Sequence, residues 1–178
     1  MNRYKTISLF LVKFFASYFL FFAVYAYYIN STQQKEGGFG CSPLTAKVAD
    51  QTTSVLNFFG YNASNVQHGE EMSVKLLIDN VYVARVIEGC NSMSIIILFI
   101  AFIIAFAGKK TATIIYAIIG SVIIYGINVL RIAFLTVMLH KYPQQQEILH
   151  AIVFPAIIYG TTFLLWVVWV QKFSNYKR

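Results

Sequence analysis

Long apolar blocks separated by short polar stretches dominate this chain, and four of them stand out. The first runs Ile7 to Ile29, interrupted only by Lys13 near its start. The second is roughly Asn91 to Ala107, the third Thr111 to about Leu139 with Arg131 inside it, and the fourth about Leu149 to Val170. Each predicts a transmembrane helix, because crossing a hydrocarbon core about 30 Å thick takes roughly 17–25 residues at about 1.5 Å each. The second is at the short end. The third exceeds the need by about two turns, so it should tilt, bend near Gly120 or Gly126, or protrude.

Between the first two blocks lies the one sizeable polar stretch, residues 30–89. Ser42-Pro43 reads as an N-cap followed by proline at the first helical position. Leu44, Val48, Thr52, Val55 and Phe59 then recur at spacings of three and four, which predicts an amphipathic helix over about 43–59, ending near Gly60. Such a helix suits a membrane surface or the cap of a bundle. Asn62 to Glu71 is polar and reads as loop. Met72–Ile78 and Val81–Ile87 are β-prone runs around Asp79-Asn80, which predicts a hairpin over about 72–87. A lone hairpin is marginal in water, so it must pack on the helix or the bundle rim.

Composition turns this pattern into a fold class. The chain is 58% hydrophobic and 12% charged, about half the charge of an ordinary soluble domain. The expectation is a single all-α integral membrane domain over residues 1–178, with four transmembrane helices and residues 30–89 inserted between the first two. The initial apolar run is about 23 residues, longer than a signal-peptide core of about 7–15, so a retained helix is expected over a cleaved leader.

Charge then orients it. An even number of crossings puts both termini on one side. That side holds Arg3, Lys5, Lys13, Lys109, Lys110, Lys172, Lys177 and Arg178 and no acidic residue. The other side holds six basic residues and all seven acidic ones. The basic excess marks the cytoplasmic face, with residues 30–89 facing outward across the cell's inner membrane. The net charge of +7 therefore sets topology and gives no reason to expect nucleic acid.

The same topology brings three chemically useful residues to one depth. Cys90 opens the second apolar block at its outer end. Arg131 lies about twenty residues, or about 30 Å, along the third helix. His150 falls in the first turn of the fourth. A thiolate attacks carbonyls, an imidazole can take its proton, and a helix start favours the thiolate. A permanently charged guanidinium can stabilise an oxyanion or hold a carboxylate. Asn128, one turn before Arg131, can orient it or donate to an oxyanion. Glu147, three residues before His150, can orient the imidazole.

Each has a plainer reading. Arg131 can snorkel to headgroups, although an arginine inside such an apolar run is costly. His150 can be an interfacial histidine, with His140 as its competitor nearer the loop, and His68 sits in a polar stretch. Cys90 can pair with Cys41 as a structural disulfide, the natural alternative for two cysteines facing an oxidising compartment. The protein would then be a non-enzymatic assembly or accessory factor. A metal site from His140, Glu147 and His150 lacks a further ligand pattern. No metal or cofactor is expected.

Glu88-Gly89-Cys90-Asn91-Ser92-Met93, Asn128-Val-Leu-Arg131-Ile132 and His150, in this order on successive helices, resemble the exosortase/archaeosortase family. The resemblance covers roughly residues 85–165. In size and layout the chain is similar to the short exosortase-like proteins of Bacteroidetes. Two departures are visible. Many members carry Cys-Ser-Gly where this chain has Cys90-Asn91-Ser92, and many have more helices. The resemblance implies a membrane cysteine protease or transpeptidase, with Cys90 as nucleophile, His150 as general acid/base and Arg131 as stabiliser. Asn91, Asn128 and Glu147 would support them. It implies as partner a membrane-anchored protein with a C-terminal sorting signal (a short motif, a transmembrane helix and a basic tail), and an outer-surface glycan or lipid as acceptor.

Overall fold

A computed structural model describes residues 3–33, 40–106 and 108–174. Helix α1 spans Arg3–Thr32 and α2 Pro43–Phe58. An antiparallel sheet follows, β1 (Ala63–Gln67), β2 (Ser73–Ile78) and β3 (Val81–Ile87), in that spatial order. A 3-10 turn, Glu88–Cys90, leads to α3 (Met93–Ala105), and α4 runs Lys110–Lys141. A 3-10 turn (Pro143–Gln145), a single helical turn α5 (Gln146–Ile148), a π-helical turn (Leu149–Val153) and α6 (Phe154–Lys172) complete the order.

Three helices are long and apolar enough to cross a membrane: Ile7–Thr32 within α1, Lys110–Lys141, and Ala151–Lys172. The second apolar block is shorter than expected. Asn91 and Ser92 are used in a turn, leaving 13 helical residues, or about 20 Å. Helix α3 is instead packed against three longer helices, α1, α4 and α6. Phe99, Ile96 and Ile103 form a core with Ile124 of α4 and Ile158 and Trp169 of α6. Phe10 of α1 meets Phe102 and Phe106 at ring-centroid distances of 6.1 and 4.6 Å. At the same end, Gly108 pairs with Ser174 and the Trp169 indole N–H donates to the Phe106 carbonyl at 3.1 Å. The start of α1, the α3–α4 turn and the end of α6 thus share one end of the bundle.

Helix α4 is not interrupted at either glycine. It continues as a helix through Gly120 and Gly126 over 32 residues, about 48 Å. Its last part lies under α2 and the sheet, where Val129 and Ile132 pack with Val48, Ala49, Val74, Leu76, Ala84 and Val86. Ala133 packs with Leu56, Ala63 and Ile78. The Tyr125 hydroxyl donates to Gln51 Oε1 at 2.5 Å, tying α4 to α2.

In the α2–sheet unit, Ser42 caps α2 and Pro43 occupies its first turn. The buried face of α2 is Thr45, Val48, Ala49, Thr52, Thr53 and Leu56. It is rotated from the stripe expected through Leu44 and Phe59, because small side chains let the helix lie close to both sheet and α4. Phe59 is left exposed. Asp79 and Asn80 both have positive φ, 51° and 63°, as a two-residue type I′ hairpin turn requires. The stretch read as loop contains a third strand. The Asn57 side chain brackets Ala63, donating to its carbonyl at 3.0 Å and accepting from its N–H at 2.7 Å. Pairing to β2 then satisfies the backbone of β1 while its polar side chains stay outside.

Candidate functional site

The Cys90 turn differs from a simple helix start. Cys90 ends the 3-10 turn, and α3 begins three residues later. The N-cap, Ser92, is left-handed at φ 62°, a region non-glycine residues seldom occupy. Asn91 Oδ1 accepts from the Met93 N–H at 3.1 Å. The first free donor of α3 is therefore taken by Asn91, which corrects the expectation that this helix end acts directly on the thiol. Cys90 is half-buried against the core formed by α2, the sheet and α4.

Two residues of α4 reach this turn. Asn128 is buried, and its Nδ2 donates to the Cys90 carbonyl at 2.7 Å. Arg131, one turn further on, is half-buried, and the titratable groups near enough to act on it are Cys90 and Tyr159 of α6. Among the described residues it forms no ion pair with a carboxylate. Its charge is thus available to the thiol side of the turn. Tyr159 carried no motif in the sequence.

A polar chain underneath fixes the turn. Glu88 Oε1 accepts from the Ser42 backbone N–H at 2.6 Å, and Oε2 accepts from the hydroxyls of Ser42 at 2.8 Å and Thr45 at 2.5 Å. Asn91 Nδ2 donates to Tyr25 Oη at 2.7 Å and to Thr45 Oγ1 at 3.2 Å. The residues flanking Cys90 are thereby tied to α1 and to the N-terminus of α2, where unpaired N–H groups favour an anion. Burial pushes the Glu88 carboxyl up, but hydrogen bonds from the Ser42 backbone, Thr45, the Ser42 hydroxyl and Gln33 outweigh it and hold the pKa below the usual value. Sequence reading missed Tyr25, Ser42, Thr45 and Glu88 as site supports. The Ser42-Pro43 cap was visible, but its anionic partner lies 46 residues away.

The two cysteines are free thiols, not the disulfide considered above. Gln67 Nε2 on β1 donates to Cys41 Sγ at 3.8 Å. Burial pushes the Cys41 thiol pKa up, Gln67 lowers it in part, and the Glu88 charge adds to the rise. The accessory-factor reading loses the bond it was built on. His150 lies in the π-helical turn, where the Phe154 N–H reaches back to the Leu149 carbonyl. The His150 side chain falls outside the described residues, and the expected convergence with Cys90 falls outside them with it. Pro155 lacks the N–H that an α-helical register would direct to Ala151, which accounts for the wider turn. Glu147 is exposed in α5.

Residues 6–170 match the family model described as Transmembrane exosortase (Exosortase_EpsH). The chain belongs to the transmembrane exosortase family. No curated protein and no solved structure matches it. The match extends beyond the 85–165 core that carries the sequence resemblance and takes in α1, α2 and the sheet. In this exosortase those elements supply the hydrogen bonds around the cysteine turn, through Tyr25, Ser42 and Thr45. Ser92 also gains a meaning, because the position where many members have glycine is one of positive φ here.

Proposed function

We propose that this exosortase is a cysteine protease or transpeptidase of the cell's inner membrane, with four membrane-inserted helices, both termini cytoplasmic and its site at the outer face. The observation that carries the reading is that α4 serves Cys90 twice. Asn128 holds the backbone of the turn, and Arg131, which has no carboxylate partner among the described residues, lies near enough to Cys90 to interact with it electrostatically. The sidedness is supported by the gathering of the α1 start, the α3–α4 turn and the α6 end at one pole. The basic residues mark that pole as cytoplasmic, and the cysteine turn lies at the other.

The substrate is a membrane-anchored protein whose C-terminal helix lies against the bundle with its sorting motif just outside the lipid. The Cys90 sulfur attacks the scissile carbonyl, its proton passing to His150. The oxyanion is stabilised by Arg131. As the C–N bond breaks, His150 returns the proton to the leaving amine, and the acyl group remains on sulfur as a thioester. Water, or an amine on an outer-surface glycan or lipid, then attacks the thioester and regenerates the thiol. Asn128 and Asn91 keep the turn in place, and Glu147 lies three residues from His150, within reach of orienting it.

The test is a Cys90→Ala strain. The protein should still be recovered from the membrane fraction, while proteins bearing the C-terminal signal keep their basic tails. Continued cleavage in that strain would end this reading.

A further inference from the structure

The Arg131 guanidinium is half-buried, yet among the described residues none of its N–H groups donates a hydrogen bond and no carboxylate pairs with it. A guanidinium carries five donors in a fixed fork, and one that is only partly hydrated needs an acceptor. At a membrane edge a long cationic side chain otherwise snorkels outward to headgroups and water. Serving the thiol requires a group that holds the charge on the cysteine side.

Helix packing shows which residue is placed to do so. Gly108 pairs with Ser174, so the start of α4 and the end of α6 are level and the two helices run in opposite directions. Ile124 stands sixteen residues on from Gly108 and Ile158 sixteen residues back from Ser174, and both lie in one buried core. Arg131 is seven residues beyond Ile124, close to two turns, and so on the same face of α4. Tyr159 follows Ile158 directly. Its backbone is about 12 Å nearer the cytoplasmic pole than that of Arg131, eight residues at about 1.5 Å each. Side chains on a helix lean toward its N-terminus. In this antiparallel pair Arg131 therefore leans down toward Tyr159, and Tyr159 leans up toward Arg131. In keeping with this, Cys90 and Tyr159 are the two titratable groups near enough to act on Arg131.

Tyr159 is 55% exposed, and its hydroxyl makes no hydrogen bond among the described residues. It stands thirteen residues from Lys172, or about 20 Å up a hydrocarbon core of about 30 Å. An unpaired hydroxyl at that depth costs free energy. Each group lacks what the other supplies, since a phenol oxygen accepts and a guanidinium only donates.

We propose that Tyr159 is the positioning residue for Arg131. In the bilayer its hydroxyl oxygen accepts a guanidinium N–H from below, by side-chain rotation alone, and keeps the positive charge beside the Cys90 sulfur instead of among the headgroups. Tyr159 does not touch the substrate and acts only through Arg131. The inference rests on the reading of Arg131 as stabiliser of the cysteine chemistry, but the placement of the charge is tested without cleavage.

The full chain carrying Cys41→Ser, which leaves Cys90 as its one thiol, is reconstituted in phosphatidylcholine vesicles. It is alkylated with iodoacetate, an anion, or with iodoacetamide, its neutral counterpart. The ratio of the two rates cancels thiol accessibility and ionisation, and reports positive charge beside the sulfur. Arg131→Gln should lower the ratio about fivefold, the order of one unit charge a few ångströms away in water. Tyr159→Phe removes only the hydroxyl. It should lower the ratio at least about twofold, and leave it unchanged when Arg131 is already replaced. A ratio indifferent to Tyr159→Phe, or lowered equally in the Arg131→Gln background, would overturn the proposal. No effect of either substitution would end the role given to Arg131, and this proposal with it. Cleavage gives a second readout. Tyr159→Phe should lower kcat on the sorting signal about tenfold or more and hold KM within about twofold. A raised KM with kcat unchanged would place Tyr159 against the substrate and overturn the positioning role. A parent protein that cleaves nothing would end the protease reading and leave the alkylation ratios to decide this one.

Discussion

The Asn128 side-chain amide donates to the Cys90 carbonyl at 2.7 Å, across a sequence separation of 38 residues. Asn128 is buried, so this bond is shielded from competing water. Leaving a buried acceptor without its donor costs about 1–3 kcal/mol. Asn128→Ala should therefore lower stability by about that amount and slow sorting-signal cleavage at least tenfold, since about 1.4 kcal/mol is a factor of ten. Asn128→Asp should be worse, because an ionised carboxylate cannot donate and is buried as a charge. Thermal melting in detergent and a cleavage assay on the same preparations check both. Wild-type cleavage by Asn128→Asp would mean that the bond does not position the turn.

Ser92 makes a second prediction through its backbone. Its φ of 62° is strained for an L side chain by about 1 kcal/mol or more. Glycine relieves that strain but loses roughly 0.5–1 kcal/mol through its freer unfolded chain. Ser92→Gly should thus stay within about 1 kcal/mol of wild type and keep its activity. Ser92→Val should cost about 2 kcal/mol or more, because a β-branched residue is an outlier in this region. If valine were tolerated as well as glycine, the turn would not hold a left-handed residue.

Much of this was legible along the chain, and the reasons for the rest are local. The Ser42-Pro43 pair and the Asp79-Asn80 turn mark elements found at those positions, because capping and turn chemistry depend on adjacent residues. Strand β1 was not legible, since its order comes from Asn57 and from β2 rather than from its own polar residues. The rotation of α2 was hidden for a related reason. Thr45, Ala49 and Thr53 are poor hydrophobic markers but fit a close approach. At the site, Cys90, Asn128 and Arg131 could be aligned by helix rise alone. Glu88 and Tyr25 could not, because their partners are set by how α1 and α2 lean on the turn.

Gly120 carries a packing prediction. A methyl group there would lie 2.3 Å from Cζ of the buried Phe99 ring. Phe99 has no exposed side to retreat to, so α3 and α4 would have to separate. Gly120→Ala should destabilise the protein by about 1–3 kcal/mol, as overpacking does, even though alanine is the better helix former by about 1 kcal/mol. A Gly126→Ala control, where no heavy atom lies within 4 Å, should be neutral or stabilising. Equal melting temperatures for the two variants would sink the argument.

Glu88 gives the fold an acid-sensitive joint. Its folded-state pKa lies below the ordinary carboxylate value because Ser42, Thr45 and Gln33 donate to the ionised form and outweigh burial. A carboxyl of this kind stabilises the fold at pH values above its unfolded pKa, about 4.3. That contribution is lost as pH falls through the lower folded value. Glu88→Gln removes the titration and presents an amide to the Ser42 N–H and to the Ser42 and Thr45 hydroxyls at the α2 cap. The melting temperature of the wild type should exceed that of Glu88→Gln by a constant margin at neutral and mildly acidic pH. The margin should shrink once pH falls below about 4.3. Other carboxylates titrate equally in both proteins, so the difference isolates Glu88. A margin that held steady, or widened, down to the most acidic pH at which the protein stays folded would show that the Ser42–Glu88 contact does not join α2 to the cysteine turn.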